Sequence, residues 1–503
     1  MLERLRGAAR GTDRGADRGA DLGGSAAAAS GEPTNAFRDG ITWAIVALVF
    51  GAYTVLSLFR LLTLTPSSWD LGIYTEYVKQ FASLHAPIVN VRGPGFNLLG
   101  DHFQVIVALI APFFKIFPSP ATLLVVQALL TAVSVFPVVQ LGFAVLGRGS
   151  ARAIGLAYGF SWGLQQMINF DFHEIAFAVP LLAFSLSALL RGRTRAAVLW
   201  ALPLVFVKED QGFTVAAIGL YMLYRGWRAR DDGRLGDGQL RGGVFLVAWG
   251  LAWSLVAIAV IIPHFNPEHR YFYWTDGGVV GSGAPFSVTG LIRQGFHAWP
   301  VKAQTSVLLL LPTAFIALGS PLSLTALPSL ALRFISTNSS YWGTMYHYNA
   351  TVMPILFLGA IEVMGRWRGS PSRVQAAAAQ HGAAMMVAAS CALAFQYPLS
   401  NLWQGSTYTI SPEVTAAEAA MAQVPDGATV TATLSLLAPL AARTDTFWIG
   451  NSGNPATEYI VFDGLASGYS PAPTNVPAFV KELYPKAGYH EVFVDDDVYV
   501  FKR

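Results

Sequence analysis

The amino-acid sequence predicts an α-helical polytopic membrane protein with about 11 crossings and a small soluble α/β domain at its C-terminus. Hydrophobic residues make up 53% of the 503 residues, and charged residues make up only 13%, against about 25% in soluble proteins. Apolar stretches of the length of membrane helices recur through residues 41–397. Residues 398–503 instead alternate in the manner of short strands and helices, with a hairpin predicted at 491–502.

The charge and cysteine content exclude two classes of protein. A net charge of +3 is too small to indicate nucleic-acid binding, and the basic residues lie in short loops between apolar stretches. The single cysteine, Cys391, lies within an apolar run, so the chain has no disulfide framework and no thiolate metal site. Membrane lipids are therefore the first predicted partner, and no nucleic acid is expected.

The first 40 residues differ in composition from everything that follows. They are rich in Arg, Asp, Gly and Ala, repeat the sequence Asp-Arg-Gly-Ala, and contain no apolar stretch. This composition predicts a disordered cytoplasmic tail over residues 1–40. The apolar run 41–62 begins too late and is too long for a cleaved signal peptide, so we interpret it as an uncleaved anchor.

Basic clusters in the loops predict which side of the membrane each loop occupies. Positive charge is enriched in cytoplasmic loops, and four clusters can share that side only if the short apolar run 103–117 is re-entrant or peripheral. The N-terminus is then cytoplasmic. The first outer loop 63–102, the outer loop 263–305 and the C-terminal domain lie outside the plasma membrane. The four clusters fall at residues 148–152, 191–195, 225–241 and 366–373.

Asp70 follows the first predicted crossing and opens the amphipathic stretch 71–84. A carboxylate at this point lies at the membrane surface, beside Trp69, a residue type that the interface favours. Asp70 suits an N-cap, whose oxygen accepts hydrogen bonds from free backbone N–H groups, and it equally suits a functional carboxylate. The residue alone leaves both interpretations open.

Under this topology, further ionisable residues gather on the outer face. Charged groups near apolar segments usually face a cavity or pair with one another. The structural alternatives are helix ends in contact with lipid headgroups, internal ion pairs and solvated cations in loops. A broken helix with charges at the break is tolerated only where it lines a polar cavity. The predicted substrate-binding residues are Asp101, His102, Asp171, His173, Glu174, Lys208, Glu209, Asp210, Arg270 and His347.

Carboxylates, histidines and cations in one outer cavity suit a substrate with a lipid-linked phosphate and a polar head. Sugar transfer with inversion needs one base to deprotonate the acceptor hydroxyl and cations to stabilise the departing phosphate. We predict Asp70 as the catalytic base and Arg270 and Lys208 as phosphate partners. We predict no cofactor and no metal site. A divalent cation held by Asp171, His173 and Glu174 is the alternative, although their spacing matches no known metal motif.

Short motifs are spread over most of the chain. They are Asp70-Leu-Gly-Ile, Asp101-His-Phe, Pro118-Ser-Pro with Gln127, Phe170-Asp-Phe-His-Glu, Val207-Lys-Glu-Asp, Ile262-Pro, Ala432-Thr and Leu437-Ala-Pro-Leu. These motifs resemble those of a family of prokaryotic polytopic membrane proteins of unknown function, which in turn is similar to the type C (GT-C) membrane glycosyltransferases. The resemblance implies a polyprenyl-phosphate sugar donor, a cell-envelope glycan, lipid or protein as acceptor, and Asp70 in the place of the first-loop acid.

Two other functions stay open at this point. A transporter or flippase of a lipid-linked or small polar substrate also uses broken helices and internal charges, and an inverted sequence repeat would favour it. We find no convincing repeat in the sequence. A non-enzymatic scaffold that presents the C-terminal domain would leave the clustered ionisable residues without a task.

Overall fold

The computed structural model describes residues 35–66, 68–233, 236–275 and 287–503, so most of the predicted N-terminal tail lies outside the described residues. The helices of the described part are α1 Gly40–Leu62, α2 Asp70–Ala82, α3 Ala111–Ile116, α4 Pro120–Val133, α5 Val135–Val145, α6 Arg148–Gly159, α7 Trp162–Asn169, α8 Ala178–Leu190, α9 Thr194–Ala201, α10 Gln211–Asp231, α11 Asp237–Val256, α12 Ile262–Phe265, α13 Phe272–Thr275, α14 Val288–Phe296, α15 Trp299–Leu310, α16 Leu327–Phe334, α17 Val352–Trp367, α18 Arg373–Ala394, α19 Pro412–Ala422, α20 Leu437–Ala441 and α21 Val476–Leu483.

The last residues of the predicted tail are packed onto the helical bundle. Ala36 is fully buried, its backbone N–H donates to Gln140 Oε1 at 2.9 Å, and the ring of Phe37 stacks on Phe136 with centroids 4.5 Å apart. Asp39 caps α1 by accepting a hydrogen bond from Thr42 N. The first membrane helix therefore begins at a packed and capped end.

The helical part contains segments of the length and apolarity that a membrane crossing needs. Three shorter apolar segments, 105–116, 174–190 and 194–206, accompany them, and the first of these is the run predicted not to cross fully. The apolar stretch 153–168, counted among the 11 crossings predicted from the sequence, is interrupted: it forms α6 and α7, with a break at Phe160 and Ser161. The number of crossings therefore stays a prediction. The five full-length segments in the described residues are Gly40–Leu62, Pro120–Val145, Asp237–Phe265, His347–Trp367 and Arg373–Ala394.

The helices α10 and α11 pack closely and stabilise the non-helical segment that precedes α10. A Cβ atom on Gly212 of α10 would lie 2.3 Å from the carbonyl oxygen of Gly250 on α11, so only glycine permits this approach. Ser254 of α11 donates a hydrogen bond of 2.6 Å to the backbone carbonyl of Glu209. The charged break at 208–210 is therefore held against α11.

The C-terminal part forms one five-stranded sheet in the order β2-β1-β3-β5-β4. β1 pairs in parallel with β2 and β3, whereas β5 pairs antiparallel with β3 and β4. The α/β fold of this part and its closing hairpin are as predicted. The strand β2 and the helix α19 were not predicted from the sequence. The strands are β1 Thr429–Ala432, β2 Asp445–Trp448, β3 Tyr459–Asp463, β4 His490–Asp495 and β5 Val498–Lys502.

The sheet domain covers α2, the helix that begins at Asp70. The segment 71–78 of α2 is buried throughout, and a Cβ atom on Gly72 would lie 2.9 Å from the Cβ atom of Leu437 in α20. Lys79 Nζ donates to Thr444 O at 2.6 Å. Contact with the C-terminal domain thus fixes the helix that carries the predicted base.

Candidate active site

The predicted site residues lie at breaks between helices. Asp70 is the first residue of α2, the segment 170–174 joins α7 to α8, and the segment 207–210 joins the helical region after α9 to α10. Charged groups at these breaks avoid the apolar faces of the helices, where an ion is costly. The breaks meet at one end of the bundle, so residues far apart in the chain become neighbours.

A line of ionisable side chains connects Asp70 to Lys208. Nε2 of His173 lies 3.7 Å from Oδ2 of Asp70, and Nδ1 of the same ring lies 3.1 Å from Oε2 of Glu174. The other carboxylate oxygen of Glu174 lies 3.2 Å from Nζ of Lys208. Glu174 is fully buried, whereas the Asp70 side chain is 24% exposed. The line runs from a solvent-accessible carboxylate to a cation in the interior.

Hydrogen bonds fix the segment that carries His173 and Glu174. Asp171 adopts a left-handed backbone conformation with φ of 62°. Gln127 Nε2 donates to the carbonyl of Asp171 at 2.5 Å, and Gln127 Oε1 accepts from the backbone N–H of His173 at 3.0 Å. Tyr74 donates its hydroxyl to Glu174. These bonds hold the His173 ring and the Glu174 carboxylate in one orientation.

His347 completes the packing around His173. The two imidazole rings stack with centroids 3.6 Å apart, and Phe170 stacks on His173 at 5.4 Å. The sequence motif around His347 is rich in tyrosine, and its neighbour Tyr348 lies 4.1 Å away between ring centroids. His347 therefore belongs to the site through ring contacts.

The charges of this line reinforce one another. Burial raises the pKa of Asp70, but hydrogen bonding and the charge of His173, together with the Ser68 hydroxyl, bring it below its usual value. Burial lowers the pKa of His173, and its two carboxylate neighbours outweigh burial and raise it to about 9. Burial also opposes the charge of Lys208, yet Glu174 and Glu209 hold its pKa well above the usual value. At neutral pH, Asp70 is therefore a carboxylate beside the cationic His173 ring.

Lys208 opens into a cavity of about 130 Å³. The cavity combines cations, carboxylates and tyrosine hydroxyls with apolar side chains along part of its wall, which is the mixture expected of a site for an amphipathic ligand. Its lining includes His102, Glu174, Ile175, Lys208, Glu209, Asp210, Phe213, Ile258, Tyr271, Tyr273, Leu332, Arg333, Tyr341, His347 and Tyr348.

Glu209 anchors one wall of this cavity. Its Oε1 lies 2.7 Å from Nδ1 of His102 and accepts from the hydroxyl of Tyr271 at 2.9 Å. Its Oε2 accepts from the backbone N–H of Phe103 at 3.1 Å. The His102 ring in turn stacks on Tyr273 with centroids 4.3 Å apart. The wall is therefore cross-linked between the loop 63–102 and the segment 271–273.

Asp101 and Asp210 occupy the edges of the same region. Asp101 Oδ1 accepts from the hydroxyl of Tyr273 at 3.0 Å, and its Oδ2 accepts from Arg92 Nε at 3.3 Å. Asp210 lines the cavity and accepts a hydrogen bond of 3.2 Å from Gln211 Nε2. Asp101 thus holds a wall residue, and Asp210 faces the cavity directly.

Arg333 is a cavity residue that the sequence analysis did not identify. It is only 6% exposed and donates to the carbonyls of Tyr341 at 3.0 Å and Tyr348 at 3.1 Å. Within the described residues, no carboxylate lies within ion-pair distance of it. An arginine near the end of the apolar run 322–334 was the available signal, because a cation in such a run marks a polar cavity.

Two predicted site residues lie away from the cavity. Arg270 is 42% exposed and forms an ion pair of 2.5 Å with Glu268, and it is not part of the cavity lining. Asp171 is also absent from the cavity lining, and its Oδ1 lies 3.7 Å from Nη2 of Arg60. In the described part of the chain, no three His, Cys, Asp or Glu side chains are grouped as a metal site requires.

The architecture corresponds to a known class of membrane protein. The crystal structure of ArnT from Cupriavidus metallidurans bound to undecaprenyl phosphate matches with a TM-score of 0.53 and 15% identity, over 92% of this chain and 98% of that chain. The fold is thus that of the GT-C glycosyltransferases, with a small sheet domain at the C-terminus. The apo crystal structure of the same ArnT gives a TM-score of 0.48 at 13% identity, over 90% and 97% of the two chains.

The chain belongs to the family described as "Predicted membrane protein (DUF2079)", which matches residues 60–479. This match confirms the family predicted from the motifs. No curated protein matches the chain.

Proposed function

We propose that this protein is an integral membrane glycosyltransferase that moves a sugar from a polyprenyl-phosphate donor to a cell-envelope acceptor on the outer face of the plasma membrane. The observation that carries the proposal is the line from Asp70 through His173 and Glu174 to Lys208, which ends at a cavity that also holds Arg333. It combines a carboxylate base with buried cations, as this reaction requires.

Lys208 and Arg333 are the proposed partners of the donor phosphate. Arginine presents a planar fork that matches phosphate oxygens, and lysine adds a compact charge. Both side chains are largely withheld from water, so their attraction for an anion is stronger than at a solvated surface. As the bond to the sugar breaks, negative charge accumulates on the phosphate, and the two cations stabilise it. Arg333 replaces Arg270 in this role because it lines the cavity.

Apolar cavity walls suit the lipid part of the donor. Ile175, Phe213, Ile258 and Leu332 line the cavity together with its charged groups. A polyprenyl chain packs favourably against such side chains, since about 25 cal/mol is gained per Å² of buried apolar surface. The ligand in the ArnT crystal structure, undecaprenyl phosphate, supports this class of donor.

Asp70 is the proposed base. Its carboxylate takes the proton of the acceptor hydroxyl while the acceptor oxygen bonds to the anomeric carbon, and the polyprenyl phosphate leaves with the electron pair of the broken bond. His173 keeps Asp70 ionised before the reaction, because a cation beside a carboxylate favours its charged form. His102, Glu209 and Tyr271 are the proposed contacts of the transferred sugar.

The experiment uses the full-length protein in proteoliposomes with a polyprenyl-phosphate hexose labelled in the sugar. We expect protein-dependent release of polyprenyl phosphate and movement of the label into material from a cell-envelope extract. Empty liposomes are the control. Movement of intact donor between leaflets without cleavage would refute the transferase and favour the flippase. Neither cleavage nor movement with any of a set of polyprenyl-phosphate pentoses and hexoses would refute both.

A further inference from the structure

A second and larger cavity shares no lining residue with the cavity at Lys208. It encloses about 400 Å³ between the end of α1, the segment 401–411 and the end of β3. This volume falls within the usual range for ligand sites. None of the residues assigned above to the donor lines it. This cavity is therefore not needed to bind the proposed donor.

A smaller space of about 20 Å³, here called the neck, shares part of its lining with this cavity and reaches Ser68, the hydrogen-bond partner of Asp70. Arg60, Leu64 and Thr65 line both spaces, whereas Ser68 and Asp171 line only the neck. A space of this volume holds about one water-sized oxygen. The Ser68 hydroxyl donates to Asp70 and also accepts from the backbone N–H of Asp70 at 3.0 Å. A single hydroxyl of a ligand in the larger cavity thus fits next to the Ser68–Asp70 pair.

The walls of the larger cavity offer both donors and acceptors. Asn401 and Gln404 face it, and their side-chain amides have no hydrogen-bond partner among the described residues. Asp463 is buried at the end of β3, where Oδ2 accepts from Ser435 at 2.7 Å, and Glu413 lies next to it. Carboxylates repel anionic ligands. A hydroxyl group of a neutral ligand, in contrast, donates a hydrogen bond to a carboxylate and accepts one from an amide.

We propose that this second cavity binds the carbohydrate portion of the acceptor and presents one of its hydroxyls to Asp70 through the neck. The proposal rests on the proposed glycosyl transfer and adds the class of its acceptor. Alternating amide, hydroxyl and carboxylate groups recognise a hydroxyl-rich ring better than an acyl chain or a phosphate. The acceptor is therefore a glycan or a glycosylated molecule.

The neck also defines a path for the proton. The acceptor hydroxyl donates to Ser68 Oγ, and Ser68 donates its own proton to Asp70. The acceptor oxygen forms its bond to the anomeric carbon as the bond from that carbon to the donor phosphate breaks. The products are the glycosylated acceptor, polyprenyl phosphate and a protonated Asp70, so atoms and charge balance.

The test measures carbohydrate binding and donor-lipid binding separately on the full-length protein in nanodiscs. Saturation-transfer NMR follows a panel of methyl glycosides and disaccharides of hexoses, pentoses and N-acetylhexosamines, and native mass spectrometry follows undecaprenyl phosphate. The variant is Asn401→Leu combined with Gln404→Leu. The matched control is Gln423→Leu, an exposed glutamine in the same domain that does not line the cavity.

We expect at least one glycoside to bind the wild type and the control, and to bind the double variant about tenfold more weakly, because two hydrogen bonds are lost. Undecaprenyl phosphate should bind all three proteins equally. Absence of any glycoside signal from the wild type, or equal binding by the double variant, would overturn the acceptor site and leave the proposed transferase intact. Glycoside binding without undecaprenyl-phosphate binding would support the cavity and count against the transferase.

Discussion

Replacing Asp70 by asparagine removes one negative charge and keeps the shape of the side chain. The asparagine side chain would still accept a hydrogen bond from Ser68, but it could not take a proton from the acceptor. The ion pair to His173 spans 3.7 Å and the Asp70 side chain is 24% exposed, so its loss costs about 1 kcal/mol of folding stability or less. Loss of a general base lowers the rate by about 10²–10⁴-fold. Transfer should therefore nearly vanish from a folded protein.

The assay is release of polyprenyl phosphate from the labelled donor in proteoliposomes, with thermal unfolding of the same samples as the measure of folding. Asp445→Asn is the matched control, because Asp445 is an exposed aspartate at the start of β2. We expect this control to keep the wild-type rate. A full rate in Asp70→Asn would disprove Asp70 as the base. If Asp70→Asn and Asp445→Asn lowered both the rate and the unfolding temperature to the same extent, the loss of rate would be a structural effect.

Three further predictions concern other residues of the candidate site. Lys208→Met removes the cation beside Oε1 of the buried Glu174 carboxylate, whereas His173 and Tyr74 still contact Oε2. It should cost about 3 kcal/mol of folding stability, the lower end of the range for a broken buried pair. Adding Glu174→Gln should recover part of this loss, as a double-mutant cycle by chemical unfolding would reveal. His173 has a folded pKa of about 9, above its ordinary value of about 6.5. The protonated His173 thus contributes its full stabilisation below pH 6.5, and this stabilisation is lost as the pH rises through 9. The unfolding temperature of the wild type should fall over this pH range, and that of His173→Gln should lack this decline. Arg333→Met should weaken the binding of undecaprenyl phosphate in native mass spectra about tenfold or more, whereas Arg270→Met should leave it unchanged. If Arg270→Met weakened binding more than Arg333→Met, Arg270 would be the phosphate partner.

The sequence predicted the convergence of charged residues because the physical rule behind it is strong. An ion within an apolar helix is costly, so Asp70, His173, Glu174 and Lys208 had to occupy helix ends or breaks. Loop charges then assigned these ends to one side of the membrane. The contacts between them were not predictable, because the distances depend on how nonconsecutive helices pack.

The two arginines show where sequence reasoning reached its limit. Arg270 was selected because it lies in an outer loop with a fork suited to phosphate, yet a local pairing with Glu268 holds it at the surface. Arg333 was hidden inside an apolar run, and only the fold reveals that its guanidinium reaches the carbonyls of Tyr341 and Tyr348. Local sequence records the chemistry of a side chain, whereas its neighbours are decided by the tertiary structure.

The segment 170–174 links the two cavities through its backbone geometry. The left-handed conformation at Asp171 turns the chain, so that Asp171 faces Arg60 beside the neck while His173 and Glu174 face the line to Lys208. Gln127 bonds to the backbone on both sides of this turn. This short segment therefore places Asp171 at the neck and Glu174 at the cavity that Lys208 lines.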